Sequence, residues 1–140
     1  MTIVLDSNVL VAAIGTKNKF RPIWDAFLDS RFFIAVSEDI LKEYEEILQR
    51  LAAPGVAPFI MGVFEESPEV IICQAYYKWN IITADPDDNK FFDIAVASNA
   101  DFLVTNDHHF NIAKRLEFPK VNIITPKEFM EVLADGDAKT

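Results

Sequence analysis

Asp85-Pro86-Asp87-Asp88-Asn89, then Phe91-Phe92-Asp93-Ile94-Ala95-Val96-Ala97, then Asp101-Phe102-Leu103-Val104-Thr105-Asn106-Asp107: the reading of this stretch decides the fold. An acidic turn enters an apolar helix, and a short linker leads to a continuously apolar strand of the kind buried on both faces in a parallel sheet. That strand stops at a polar Thr-Asn-Asp.

The same unit stands at the start of the chain. Ile3-Val4-Leu5 reads as a buried strand ending at Asp6-Ser7-Asn8, and Val9-Leu10-Val11-Ala12-Ala13 resumes as a buried helix. Arg21-Pro22 opens a second helix, with Pro22 in the first turn, where its missing N–H costs nothing. Phe32-Phe33-Ile34-Ala35-Val36 is a second strand, and Ser37 is placed to cap the helix after it, with Glu38 and Asp39 favoured by the helix dipole. On that helix Ile40, Leu41, Tyr44, Ile47, Leu48 and Leu51 share one face. Glu43 and Glu45 flank the stripe on opposite edges, and periodicity alone does not choose between them.

Ala53-Pro54-Gly55 breaks this helix. Pro58–Glu66 reads weakly as another, interrupted at Gly62, and Val70-Ile71-Ile72 as a short extended piece. Tyr76–Ile82 is aromatic enough for an edge strand but lacks clean alternation. Val121–Ile124 is a last strand, and Thr125-Pro126-Lys127-Glu128 is a capping box opening the terminal helix. Residues 1–133 are expected to form a single domain, with 134–140 as a frayed tail. Strands alternating with helices predict an α/β fold with a mostly parallel central sheet and helices on both faces. Right-handed crossovers then bring Asp6, Ser37 and Asp107 to one carboxyl edge, where ligands gather in open α/β sheets.

Composition narrows the function. At 140 residues and 51% hydrophobic, with 12 Phe, the chain is no disordered segment. No run approaches the roughly 20 apolar residues of a membrane span. Met1 leads directly into the first strand without a basic n-region, so no secretory signal is expected. The single Cys73 suits a reducing, cytoplasmic setting. A net charge of −9 argues against a general nucleic-acid coat protein but not against a nuclease, whose metal-binding carboxylates contribute to such an imbalance. The one dense basic stretch, Lys17-Asn18-Lys19-Phe20-Arg21, reads plainly as a solvated loop.

Each acid has an ordinary explanation: Asp88 as an N-cap, Asp6 and Asp107 as turn formers, Glu43 as a solvated helix residue. Their coincidence points further, because clustered carboxylates raise one another's pKa unless a cation neutralises them. With oxygen ligands and no Cys/His set spaced for zinc, that cation is Mg²⁺ or Mn²⁺, able to activate water and stabilise the leaving oxygen of a phosphodiester. Rival motifs fail. Read as a calcium loop from Asp85, the chain has Lys90 where Gly is required and Val96 where the bidentate Glu belongs. There is no Gly-rich phosphate loop and no nucleophile elbow. His108-His109 reads as a surface turn pair. A non-catalytic module presenting an acidic edge to a basic partner is the competing reading.

Four stretches carry a resemblance: Leu5–Leu10; Ser37–Leu48; Asp85–Phe91 with Ala95-Val96-Ala97; and Val104–Asp107. In this order and spacing the chain resembles a PIN domain, and more closely the branch of toxin components of toxin–antitoxin pairs. The resemblance implies a three-layer α/β/α sandwich and a ribonuclease dependent on one or two Mg²⁺ or Mn²⁺ ions. It carries the acidic quartet over to Asp6, Glu43, Asp88 and Asp107, choosing Glu43 over Glu45 because the acid directly precedes the aromatic Tyr44. Asp93 is then a supporting ligand, and Ser7, Asn8, Thr105 and Asn106 are groups that orient carboxylates or waters. Lys17, Lys19 and Arg21 become candidates for gripping substrate phosphates, with Phe20 able to stack on a base. The implied partners are RNA, a small antitoxin and a second copy of the chain.

Overall fold

The computed structural model describes residues 1–138. In chain order the elements are β1 (Thr2–Leu5), α1 (Ser7–Ile14), α2 (Arg21–Leu28), β2 (Phe33–Val36), α3 (Glu38–Leu51), α4 (Val56–Glu66) and β3 (Val70–Ile72). A 3-10 turn over Pro86–Asp88 leads into α5 (Asn89–Ala97) and β4 (Phe102–Val104). A second 3-10 turn, His108–Phe110, precedes α6 (Asn111–Lys114), β5 (Ile123–Ile124) and α7 (Pro126–Ala138). The five strands form one sheet in the order β3-β2-β1-β4-β5, every pair parallel. This is the α/β/α architecture expected from the sequence.

The order reverses at β1. From β1 the chain steps outward through β2 to β3, then crosses back to β4 on the other side of β1. Right-handed crossovers running in opposite directions put their helices on opposite faces. α5 accordingly packs on β1, β2 and β4, while α2 touches both α1 and α7. The boundary between β1 and β4 is thus the topological switch point, and Asp6 and Asp107 follow those two strands.

Burial supplies the driving force. Ile3, Val4, Ile34, Ala35, Val36, Leu103 and Val104 are fully enclosed, as a sheet covered on both faces requires. Beside the sheet lies an aromatic cluster, with Trp24 and Phe27 centroids 5.3 Å apart, Phe27 and Phe64 6.0 Å, and Phe32 and Phe129 edge-on at 5.2 Å. Tyr44 is completely buried, and its hydroxyl donates to the carbonyl of Leu5 at 2.5 Å. That bond satisfies a polar group that burial would otherwise penalise, and it ties the middle of α3 to the carboxyl end of β1.

The local signals act as read. Ser37 Oγ accepts from Ile40 N–H at 3.1 Å, and Thr125 and Glu128 exchange the two bonds of a capping box at 3.0 and 3.1 Å. Gly55 takes φ +89° in front of α4, a left-handed conformation costly to a residue with a Cβ.

Three expectations change. Residues 76–82 form no strand: they are a loop held by side chains, with Asn89 Oδ1 accepting from Ile82 N–H and Asp93 Oδ1 from Trp79 N–H. Gly62 does not interrupt α4, because the buried Ala57, Ile60 and Phe64 hold the helix across it. α7 runs through Ala138, where a tail was expected from Ala134 onward; Leu133 is buried and its carbonyl accepts from Arg31 Nη2 at 2.8 Å. Lys139 and Thr140 lie outside the described residues. Among the described residues, no helix is long and apolar enough to cross a membrane.

Candidate active site

Asp6 occupies the N-cap position of α1, yet its side chain caps nothing. Its backbone does the local work: the N–H pairs with Val104 and the carbonyl accepts from Val9 and Leu10. The carboxylate, in a residue only 5% exposed, instead accepts the Thr105 hydroxyl at 2.8 Å. The same hydroxyl oxygen accepts the Asp107 N–H at 2.9 Å, so Thr105 orients both strand-end acids at once. Asp107 is in part the turn former its composition suggests, since Oδ1 accepts from His109 N–H at 2.9 Å. Burial raises the pKa of Asp6, the charges of Asp107 and Glu43 add to it, and the Thr105 hydrogen bond opposes them.

Glu43 reaches this edge because Tyr44, its neighbour, is anchored to Leu5. One carboxylate oxygen accepts the Ser7 hydroxyl, and the other pairs with Lys90 Nζ at 2.7 Å. Lys90, in the first turn of α5, is therefore part of the site, a role the sequence reading missed.

Asp88 also stands at a helix start without capping it, whereas Asp85 caps the preceding 3-10 turn, its Oδ1 accepting from Asp87 N–H at 3.2 Å. The Asp88 side chain is 13% exposed, and its Oδ2 is buried with no hydrogen-bond partner. Burial, and then the charges of Asp85, Asp6, Asp107 and Glu43, push its pKa from 3.8 to about 7. His109 Nδ1, likewise buried and unpartnered, lies 3.7 Å from that Oδ2 and 3.3 Å from Asp107 Oδ1. One donor atom each from Asp85, Asp88 and His109 falls within 4.8 Å of the others. Reading His108-His109 as a surface turn missed this. The 3-10 turn after Asp107 swings the second ring back over the carboxylates, and the signal lay in its spacing, two residues past a strand-end acid.

The remaining expected residues divide. Ser7 and Thr105 are buried and bonded to the acids, whereas Asn8 and Asn106 are exposed at the same edge. Asp93 is buried but turned to the 76–82 loop, where it accepts the Trp79 N–H at 3.1 Å. Burial raises its pKa, and the Trp79 hydrogen bond and the charge of Lys78 oppose that rise. Arg21 donates to Ile14 O at 2.8 Å and to Asp25 at 2.9 Å, closing the end of α1. Lys17 and Lys19 are exposed.

Unpartnered buried oxygen and nitrogen atoms amid mutually repelling carboxylates are what a cation site presents before its ion is counted. The donors are oxygens with one imidazole, a set suited to Mg²⁺ or, with nitrogen included, Mn²⁺.

The PIN domain family model matches residues 2–109. No curated protein matches the sequence. Among solved structures, the chain is similar to VapBC2 from Rickettsia felis, in a complex bound to a DNA fragment from its promoter, at 22% identity and TM-score 0.62, covering 89% of this chain and 98% of that one. FitAcB from Neisseria gonorrhoeae shares 17% identity at TM-score 0.56, covering 89% and 98%. VapC20 from Mycobacterium tuberculosis, a toxin that cleaves the sarcin–ricin loop, shares 13% at TM-score 0.60, covering 82% and 97%. At these identities the likeness establishes a common fold. With the family model spanning most of its length, the chain belongs to the PIN domain family.

Proposed function

We propose that this protein is a metal-dependent endoribonuclease, the toxin of a toxin–antitoxin pair, with Asp6, Glu43, Asp88 and Asp107 as its catalytic and metal-holding acids. The observation that carries the reading is the unpartnered Oδ2 of Asp88, buried within electrostatic reach of the other three. Residues of this chain would hold one or two Mg²⁺ or Mn²⁺ ions through those carboxylates, with His109 and Asp85 adjoining. When bound, the ions supply activation of water and charge stabilisation at the leaving oxygen. Everything else falls to the protein. Thr105 fixes the angle between Asp6 and Asp107, and Ser7 and Lys90 hold Glu43 at the edge.

The fold relatives solved as toxin–antitoxin complexes support a small antitoxin as partner. Exposed Phe59, Ile72, Tyr76, Tyr77 and Phe118 offer apolar surface for that partner or for a second copy of the chain. The free, half-buried Cys73 is in keeping with a cytoplasmic location.

The test is cleavage of a panel of RNA and single-stranded DNA with Mn²⁺, Mg²⁺ or EDTA, comparing wild type with Asp6→Asn and Asp107→Asn. RNA cutting that needs the metal and is lost in both variants is the expected result. Cutting that persists in EDTA or in both variants would defeat the assignment.

A further inference from the structure

We propose that the cavity beside Asp6 and Asp107 is a nucleobase pocket that selects the residue flanking the cut, with Phe20 as its stacking wall and Asn106 as its reading group. The proposal rests on the ribonuclease reading above. The cavity has a volume of about 220 Å³ and is lined by Val9, Ala12, Phe20 and Pro126, with Asn8 and Asn106 at its polar side. Asp6 and Asp107 are among its lining residues, so it adjoins the catalytic edge. A phosphate poised at those carboxylates therefore carries its adjoining base to this opening.

Size and chemistry fit that occupant. The volume falls below the roughly 300–1,000 Å³ of drug-sized sites and suits a single ring system. Apolar walls accept a base face, and Phe20, half-buried and lining the cavity, presents the ring on which a base stacks. The side chains of Asn8 and Asn106 are exposed and make no hydrogen bond among the described residues. Each offers a donor pair and an acceptor, the complement of a base's Watson–Crick edge. Lys19 Nζ sits 5.0 Å from the Phe20 ring centroid, a cation beside the aromatic wall that is available to a substrate phosphate. The larger cleft of about 500 Å³ on the other side of Glu43 has no such walls; Asp39, Glu46, Asp87 and Asp93 line it with Lys42 and Lys78.

Two measurements on wild type, Phe20→Leu and Asn106→Ala test the pocket. Cut sites are mapped on a random-sequence single-stranded RNA with Mn²⁺, and backbone NMR shifts are followed in EDTA as each of the four ribonucleoside 5′-monophosphates is added. The leucine keeps a branched apolar side chain at the half-buried position while removing the ring, and Asn106 is exposed, so both variants are expected to fold. Expected are a base preference at the cut, shifts at Phe20 and Asn106, binding about tenfold weaker in Phe20→Leu, and a flattened preference in Asn106→Ala. If wild type cuts RNA but both variants keep the same preference and no shifts occur there, the pocket is overturned and the ribonuclease stands. Nucleotide shifts confined to this cavity and lost in Phe20→Leu, without any cutting, would support the pocket and overturn the ribonuclease. Neither cutting nor shifts would overturn both.

Discussion

His109 Nδ1 lies 3.7 Å from Asp88 Oδ2, and neither atom has a hydrogen-bond partner although both are buried. The separation is too long for a hydrogen bond between them, so two polar atoms face each other across a gap. In a folded protein such groups are normally satisfied, and a cation between them would satisfy both. Replacing His109 by Ala is therefore expected to weaken Mn²⁺ binding about tenfold or more, measured by calorimetry. Unchanged affinity would confine His109 to its turn.

Asp88 also makes the fold sensitive to pH. Its pKa is about 7 in the folded chain against 3.8 as the ordinary value, so between those limits the folded state holds the proton more tightly. Stability from this group is present at low pH and is lost as pH rises from about 4 through about 7, amounting to as much as about 4 kcal/mol. Asp88→Asn should abolish that loss: in EDTA at pH 8 the variant should unfold at a higher temperature than wild type, with the difference vanishing near pH 4. A variant less stable across the whole range would contradict this.

Lys90 pairs with Glu43 where a cation would otherwise be needed. Both side chains are part-buried, at 22% and 29% exposure, so Lys90→Gln should cost about 1 kcal/mol of stability in EDTA. Saturating Mn²⁺ should shrink the deficit, because the added charge neutralises Glu43 in the ammonium's place. Thermal unfolding with and without Mn²⁺ checks this; an equal deficit in both would make the ion pair structural only.

Thr105 donates to Asp6 and accepts from Asp107 N–H, so Thr105→Val removes the link between two acids and leaves a buried carboxylate short of a donor. Loss of about 1–3 kcal/mol of stability and a 10- to 100-fold fall in cleavage rate are expected. Thr105→Ser should restore most of the rate. A serine variant as slow as the valine one would show that the methyl group, not the hydroxyl, matters.

Tyr44→Phe strands the buried Leu5 carbonyl. A cost of about 1–3 kcal/mol is expected, with cleavage falling because α3 no longer fixes Glu43 at the edge. Full activity at unchanged unfolding temperature would remove Tyr44 from the positioning of Glu43.

How much of this was legible in the sequence follows the range of each signal. Asp6 and Asp107 stood out because a strand buried on both faces is a continuous apolar run, and the polar residue ending it marks the sheet's edge. Glu43 and Glu45 were indistinguishable by periodicity; the buried bond from Tyr44 to Leu5, 39 residues apart, is a tertiary fact no local pattern encodes. His109 was set aside because adjacent residues on a turn point apart, and only the 3-10 geometry shows which one returns to the acids. The 76–82 loop was ambiguous because its aromatic composition suits an edge strand while its alternation does not, and its order comes from Asn89 and Asp93 in α5. Asp93 entered as a supporting ligand through the family resemblance, and its bond to the Trp79 backbone, 14 residues away, is again a tertiary fact.

The most direct test of the central claim is a Mn²⁺ titration of the full chain, followed by electron paramagnetic resonance, with wild type beside Asp6→Asn and Asp88→Asn. Binding of one or two ions to wild type, weakened at least tenfold in each folded variant, is the predicted result. Wild type that takes up no Mn²⁺, or variants that bind it as tightly as wild type, would contradict the claim that these carboxylates converge to hold a cation.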